Sequence, residues 1–132
     1  MAEKISFDLV SPERLLLSED SDMVTLPGSE GDLGVLAGHE PLITTLRPGV
    51  IEVKGGTQGD QRFFVHGGFA EINPGKLTVL AEEAFDVAAV NAAEVDQRIS
   101  NAKEDLLQVK SDQARTRLVA TLDALTQLRA AL

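Results

Sequence analysis

Residues 27–42 read Pro27-Gly-Ser-Glu-Gly-Asp-Leu-Gly-Val-Leu-Ala-Gly-His-Glu-Pro-Leu42, with glycines at 28, 31, 34 and 38. Glycine reaches positive φ without a Cβ clash, so closely spaced glycines let a chain turn sharply and pack tightly. The stretch joins one strand-like run, Asp22 to Leu26, to another, Leu42 to Leu46. It therefore reads as a loop at the corner of a β fold. Leu33, Val35 and Leu36 are expected to reach a core, and Glu30, Asp32, His39 and Glu40 to face outward. Two readings stand at this point: a corner that serves geometry alone, or a loop that carries function on a rigid framework.

Outward from this stretch the first 80 residues repeat one pattern. Ile5, Phe7 and Leu9 alternate with Ser6 and Asp8, the period of a half-buried strand. Similar runs cover residues 15–17, 22–26, 42–46, 50–54, 62–66, 69–72 and 76–80. Turn chemistry separates them: Pro27-Gly28, Pro48-Gly49, the 55–60 loop, Gly67-Gly68 and Asn73-Pro74-Gly75. Some eight to ten short strands at spacings of about 8–12 residues predict a β-sandwich or barrel.

After Ala89 the period changes. Asn91 with Glu94 three residues on has the form of a helix N-cap and capping box. Apolar positions then fall at Val95, Ile99, Ala102, Leu106 and Val109, steps of four and three along one helix face. Lys110-Ser111-Asp112 breaks the run, with Ser111 or Asp112 as the next cap. A second seam follows at Ala114, Leu118, Thr121, Leu125, Leu128 and Leu132, and Leu107, Val119 and Leu122 are expected to widen the two stripes. So short a connection forces an antiparallel αα-hairpin. The expected architecture is an all-β N-terminal sandwich over residues 1–89 and a two-helix hairpin over 90–132.

Charge divides the chain at the same place. Residues 1–90 hold fifteen acids and six bases, and residues 91–132 hold six of each, for a net of −9. All eleven glycines and all five prolines lie in the first part. An acidic chain lacks the basic footprint of a nucleic-acid binder. No apolar run approaches the ~20 residues of a membrane span, so direct membrane insertion is not expected. The N-terminus has neither a signal-peptide nor a transit-peptide pattern. With no cysteine, disulfides, thiol catalysis and cysteine-ligated metals are excluded. His39 and His66 have no third ligand near them in sequence, and no nucleophile elbow or phosphate loop is present. The inventory is that of an interaction module. A stand-alone ligand-sensing β-sandwich with a regulatory helical hairpin is the alternative reading.

The ordered strings 7–13 (Phe-Asp-Leu-Val-Ser-Pro-Glu), 23–28 (Met-Val-Thr-Leu-Pro-Gly), 30–42 with its Gly-His-Glu-Pro-Leu end, 46–49, 67–71 and 77–81 closely resemble the epsilon subunit family of F-type ATP synthases. The resemblance covers the whole chain. It implies a ten-stranded sandwich followed by the hairpin. It implies a non-catalytic rotor subunit at the foot of the central stalk, between the gamma subunit and the c-ring, that couples proton flow to ATP synthesis. The chain would then lie peripherally on the cytoplasmic side of a bacterial inner membrane. By the resemblance, Asp32 with Glu30 and Gly31 would face the polar, arginine-containing loops of the c-ring. Ser11, His39 and Thr44 would meet gamma or the ring, and the hairpin could reach the alpha/beta head. Family members that bind ATP do so through an Ile/Leu-Asp-x-x-Arg-Ala motif. The matching run, residues 85–90, keeps Asp86 but has Ala89 where arginine is expected, which counts against ATP as a cofactor. The hairpin is neutral overall, so weak or absent inhibition of ATP hydrolysis is expected from it.

Overall fold

A computed structural model describes residues 3–132, with Ala131 as backbone only. Residues 1 and 2, included in the expected 1–89 unit, lie outside the described residues. Eight strands run in order: β1 (Ile5–Val10), β2 (Leu15–Ser21), β3 (Met23–Gly28), β4 (Gly31–Val35), β5 (Leu42–Thr45), β6 (Gly49–Gly56), β7 (Gly59–Ile72) and β8 (Lys76–Asp86). A short 3₁₀ turn, Val87–Ala89, leads to α1 (Ala92–Gln108) and α2 (Asp112–Ala131).

The pairing order is β2-β1-β8-β7-β6-β3-β4, with β5 on β7. Among the described residues only the β1–β8 pair is parallel. β7 and β8 each serve both layers. Residues 61–65 of β7 pair with β6, whereas 69–72 pair with β5. Residues 76–80 of β8 pair with β1, whereas 83–86 follow the first half of β7. One layer is thus β2-β1-β8-β7-β5 and the other β8-β7-β6-β3-β4. Eight continuous strands supply five segments to each layer, which reconciles the strand count with the ten implied by resemblance. The change of layer in β7 falls at Gly67 and Gly68, with φ of 75° and 111°. A Cβ on Gly68 would collide with the Leu80 carbonyl oxygen, so only glycine permits this crossing.

Period-two alternation fills the space between the layers. Ile5, Phe7, Leu9, Leu77 and Val79 from one layer meet Val24, Leu26, Ile51, Phe63 and Val65 from the other, all buried. Each such side chain contributes about 1.5–3 kcal/mol on burial.

The Pro27–Leu42 stretch is more regular than the sequence suggested. β3 continues through Gly28, a two-residue turn at Ser29-Glu30 follows, and β4 returns with Gly28 facing Gly31. Val35 is buried and Leu33 half-buried, but Leu36 is 54% exposed and does not reach the core. The remaining loop, residues 36–41, is held by Gly38 N–H donating to the Pro74 carbonyl.

The hairpin is folded down on the outer face of the β6–β7 layer. Asn91 caps α1 by accepting from Ala93 N–H, and Ser111 caps α2 by accepting from Ala114 N–H. Arg129 near the end of α2 bonds Asp96 near the start of α1 at 2.8 Å, the antiparallel arrangement. Phe64, pointing out of the sandwich, is buried with Val87, Val95, Ala124, Leu125 and Leu128. Phe85 stacks on Phe64 with ring centroids 5.2 Å apart. His66 Nε2 lies 3.0 Å from Thr121 Oγ1, and Arg98 pairs with Glu83 at 3.0 Å. Leu107 and Val119 do not widen the seams: Leu107 is 88% exposed and Val119 is exposed as well. Both lie on helix faces turned away from the contact.

Candidate functional site

Glu30, Gly31, Asp32 and Thr44 come together. They line one shallow hollow of about 210 Å³ with Leu33 and Leu42, at the rim formed by the β3–β4 turn and β5. The geometry follows from local pairing: Ser29 N–H donates to Thr45 O at 3.0 Å and Arg47 N–H to Pro27 O at 2.9 Å, so the chain after β5 clips onto the end of β3. Glu30 is exposed at the turn. Asp32 is exposed too, but it has a partner that sequence reading missed: Arg47 Nη2 contacts its carboxylate, and Arg47 Nη1 donates to Gly28 O at 2.6 Å. An exposed pair of this kind contributes about 0–1 kcal/mol, so its effect is on geometry more than on stability.

His39 lies on the adjoining 36–41 loop, half-buried, with Nδ1–H donating to the Glu40 carbonyl at 2.6 Å. It does not line the rim hollow. Ser11 is farther still, at the β1–β2 turn, where its hydroxyl donates to Arg14 O and it lines a separate hollow of about 380 Å³ with Glu82 and Glu83.

Across the outer face of the β2-β1-β8-β7-β5 layer runs a stripe that the sequence did not single out. Leu15 pairs with Val10, Val10 with Leu80, Leu80 with Phe69, and Phe69 with Thr45. These neighbours form one transverse row. Leu15 is 57%, Leu80 40% and Phe69 39% exposed. Ser11 follows Val10 in sequence, and Thr44, next to Thr45, points to the opposite face of β5, beside buried Ala70 and into the rim hollow. An apolar row on an outer sheet face marks an interaction surface. The available signal was broken alternation: Leu9-Val10 and Val79-Leu80 put apolar residues on both faces of their strands. On the same outer face, Ser18 donates to Asp8 Oδ1 at 2.7 Å, and Lys76 lies 3.3 Å from its other oxygen. The Ser18 hydrogen bond, aided by Lys76 against a smaller cost of burial, holds the Asp8 carboxyl below the usual carboxylate range.

Asp86 is committed locally: its carboxylate accepts from Ala88 N–H at 2.9 Å and caps the 3₁₀ turn. Asp86 lines two hollows: one of about 240 Å³ with Phe85, Ala89, Val95 and Arg98, below the ~300–1,000 Å³ of typical small-molecule sites, and one of about 620 Å³ with Lys54, Arg62 and Val87, within that range. Arg98 is spent on Glu83 and sits 6.0 Å from the Phe85 ring centroid. Among the described residues no His/Cys/Asp/Glu group could hold a metal ion, and no helix is long and apolar enough to cross a membrane.

Comparison with known proteins accords with this geometry. Residues 4–87 match the family described as the ATP synthase delta/epsilon chain β-sandwich domain. The ATP synthase epsilon chain of Parvibaculum lavamentivorans is 52% identical over 129 residues, covering 98% of each chain. That of Mesorhizobium japonicum is 48% identical, covering 100% of this chain and 98% of its own. A chain in the Euglena gracilis mitochondrial ATP synthase structure of OSCP, F1 and c-ring superposes with a TM-score of 0.81 at 26% identity, over 99% of this chain and 82% of that one. A chain from the Tetrahymena thermophila central stalk and c-ring structure, at 17% identity, shares the fold with a TM-score of 0.68. On these findings the chain belongs to the ATP synthase delta/epsilon chain family.

Proposed function

We propose that this chain is a non-catalytic central-stalk subunit of a proton-translocating ATP synthase, joining the gamma subunit to the c-ring. The observation that carries the reading is the pair of distinct surfaces on one rigid sandwich. The apolar Leu15–Val10–Leu80–Phe69 row, with Ser11 next to Val10, suits a large stable partner such as gamma, and Thr44 belongs with the rim. The Glu30–Gly31–Asp32 rim, polar and glycine-shaped, suits a basic loop of the ring, and His39 extends it. Rotation needs both attachments, because torque passes through the sandwich only if each side holds. We assign residues 1–89 to docking and residues 90–132 to a helical cover. That cover is neutral and seated on Phe64, so its reach to the alpha/beta head is not its resting role. Asp86 serves the fold and not a nucleotide. The subunit works on the cytoplasmic side of a bacterial inner membrane, attached through the complex.

Co-purification tests this. Tagged chain expressed with gamma and the c-ring should recover both in fixed ratio, and recovery of neither would favour a stand-alone sensor.

A further inference from the structure

Three side-chain oxygens are buried without a hydrogen-bond partner among the described residues: Glu19 Oε1, Ser21 Oγ and Gln61 Oε1. All three belong to the end of the sandwich where β2 meets the β6–β7 turn. Ser21 is fully buried and in register with Ile5. The next residue, Asp22, donates its N–H to Lys54 O at 2.8 Å. Lys54 follows Val53, which faces Gln61 across the β6–β7 ladder. Gln61 alternates with buried Phe63 and Val65, so it shares their inward direction. Glu19, two residues before Ser21, lies on the same strand face as Ser21. Its Oε2 accepts from Thr57 Oγ1 at 2.6 Å. Its Oε1 lies against Gly56, where a Cβ would collide with it and would come within 3.1 Å of Gly59 O. Among the described residues no backbone ladder joins β2 to β6 or β7, so side chains carry that join.

We propose that this end of the core holds one internal water, bound by Glu19, Ser21 and Gln61. Buried polar atoms in folded proteins are almost always satisfied, and a carboxylate oxygen is among the costliest to leave unpaired. The count of donors selects water. Glu19 Oε1 and Gln61 Oε1 only accept, whereas the Ser21 hydroxyl can donate. A water donates to the first two and accepts from the third, the usual three bonds of an internal water. A sodium or potassium ion would take lone pairs from the same oxygens and leave the Ser21 hydroxyl proton without an acceptor. The site is separate from the rim and independent of the rotor reading: β3 starts beside it, with Met23 facing Lys54, and reaches the rim only at Gly28. Its effect is to tie the β2 edge to the second layer and keep the sandwich one rigid body.

Crystals of the unmodified chain, grown once from sodium and once from rubidium salts, test this. Both should show one density peak within about 2.6–3.2 Å of all three oxygens, without anomalous scattering from rubidium. A rubidium signal at the peak would assign a cation and overturn the proposal. A Gln61 amide turned to donate directly to Glu19, with no peak between them, would overturn it as well. In solution, oxygen-17 relaxation dispersion counts the long-lived waters of the same chain. Gln61→Met keeps the side-chain length without its polar atoms, and should remove one long-lived water or speed its exchange by about tenfold or more. Gln58→Met, at the exposed β6–β7 turn, should change neither. An unchanged count and rate in folded Gln61→Met would contradict the assignment.

Discussion

Leu128→Ala separates the hairpin from the sandwich energetically. Leu128 is fully buried, on α2, among Phe64, Val87, Val95, Ala124 and Leu125. Truncating a buried leucine removes its transfer free energy and leaves a cavity, for a loss of about 2–5 kcal/mol. Because this cluster lies outside the sandwich core, the loss falls on hairpin docking. At about 1.4 kcal/mol per decade, 2 kcal/mol is roughly a 30-fold rise in the open population. Native-state hydrogen exchange reads this directly. Amides of α1 and α2 should exchange at least about 30-fold faster, while those of Phe7, Val65 and Val79 stay within about twofold. Leu107→Ala is the internal control: Leu107 is 88% exposed, and substitutions at such positions move stability by about 0.5 kcal/mol or less. Equal acceleration in the sandwich and the hairpin would refute the reasoning, because it would mean that the two units share one core. No acceleration anywhere would refute it as well.

Other outcomes follow from the same structure. Gly68→Ala places a Cβ against the Leu80 carbonyl at a φ of 111°; a thermal melt should show a loss above about 1 kcal/mol, and an unchanged melting temperature would contradict the layer-crossing account of β7. The Asp8 carboxyl is held low in the folded state by Ser18 and Lys76. Its contribution is therefore present above the unfolded value near 3.8 and is lost as pH falls through the lower folded value. Stability measured against pH should flatten in that acid window for Asp8→Asn. Deleting residues 91–132 should leave ATP hydrolysis by the assembled enzyme within about twofold, since a hairpin with six acids and six bases has no net charge to attract it to a charged surface; a large rise would show that it inhibits.

The sequence carried the periodic features and missed the long-range ones. Alternation in Ile5-Phe7-Leu9 and the three-four steps from Val95 to Val109 set local structure, and both units and the Asn91 and Ser111 caps were legible. The doubling of β7 and β8 was not, because a strand's partners are set by pairing across the fold and only Gly67-Gly68 hinted at a bend. The same limit applies at the rim. Glu30, Gly31, Asp32 and Thr44 could be named from the glycine-rich string, but nothing local says that Arg47 folds back onto Asp32. Leu36 and Leu107 erred in the opposite sense: each is apolar within an apolar run, yet its backbone direction turns it to solvent. The apolar row across β2, β1, β8 and β7 exists only in register, so no single strand displays it.

The account stands most directly on that row. Phe69→Ser with Leu80→Ser should leave the circular dichroism spectrum intact, because both side chains already lie on the outer face, and should abolish recovery of gamma in a pull-down. Undiminished recovery of gamma by the folded double variant would contradict the assignment of this face.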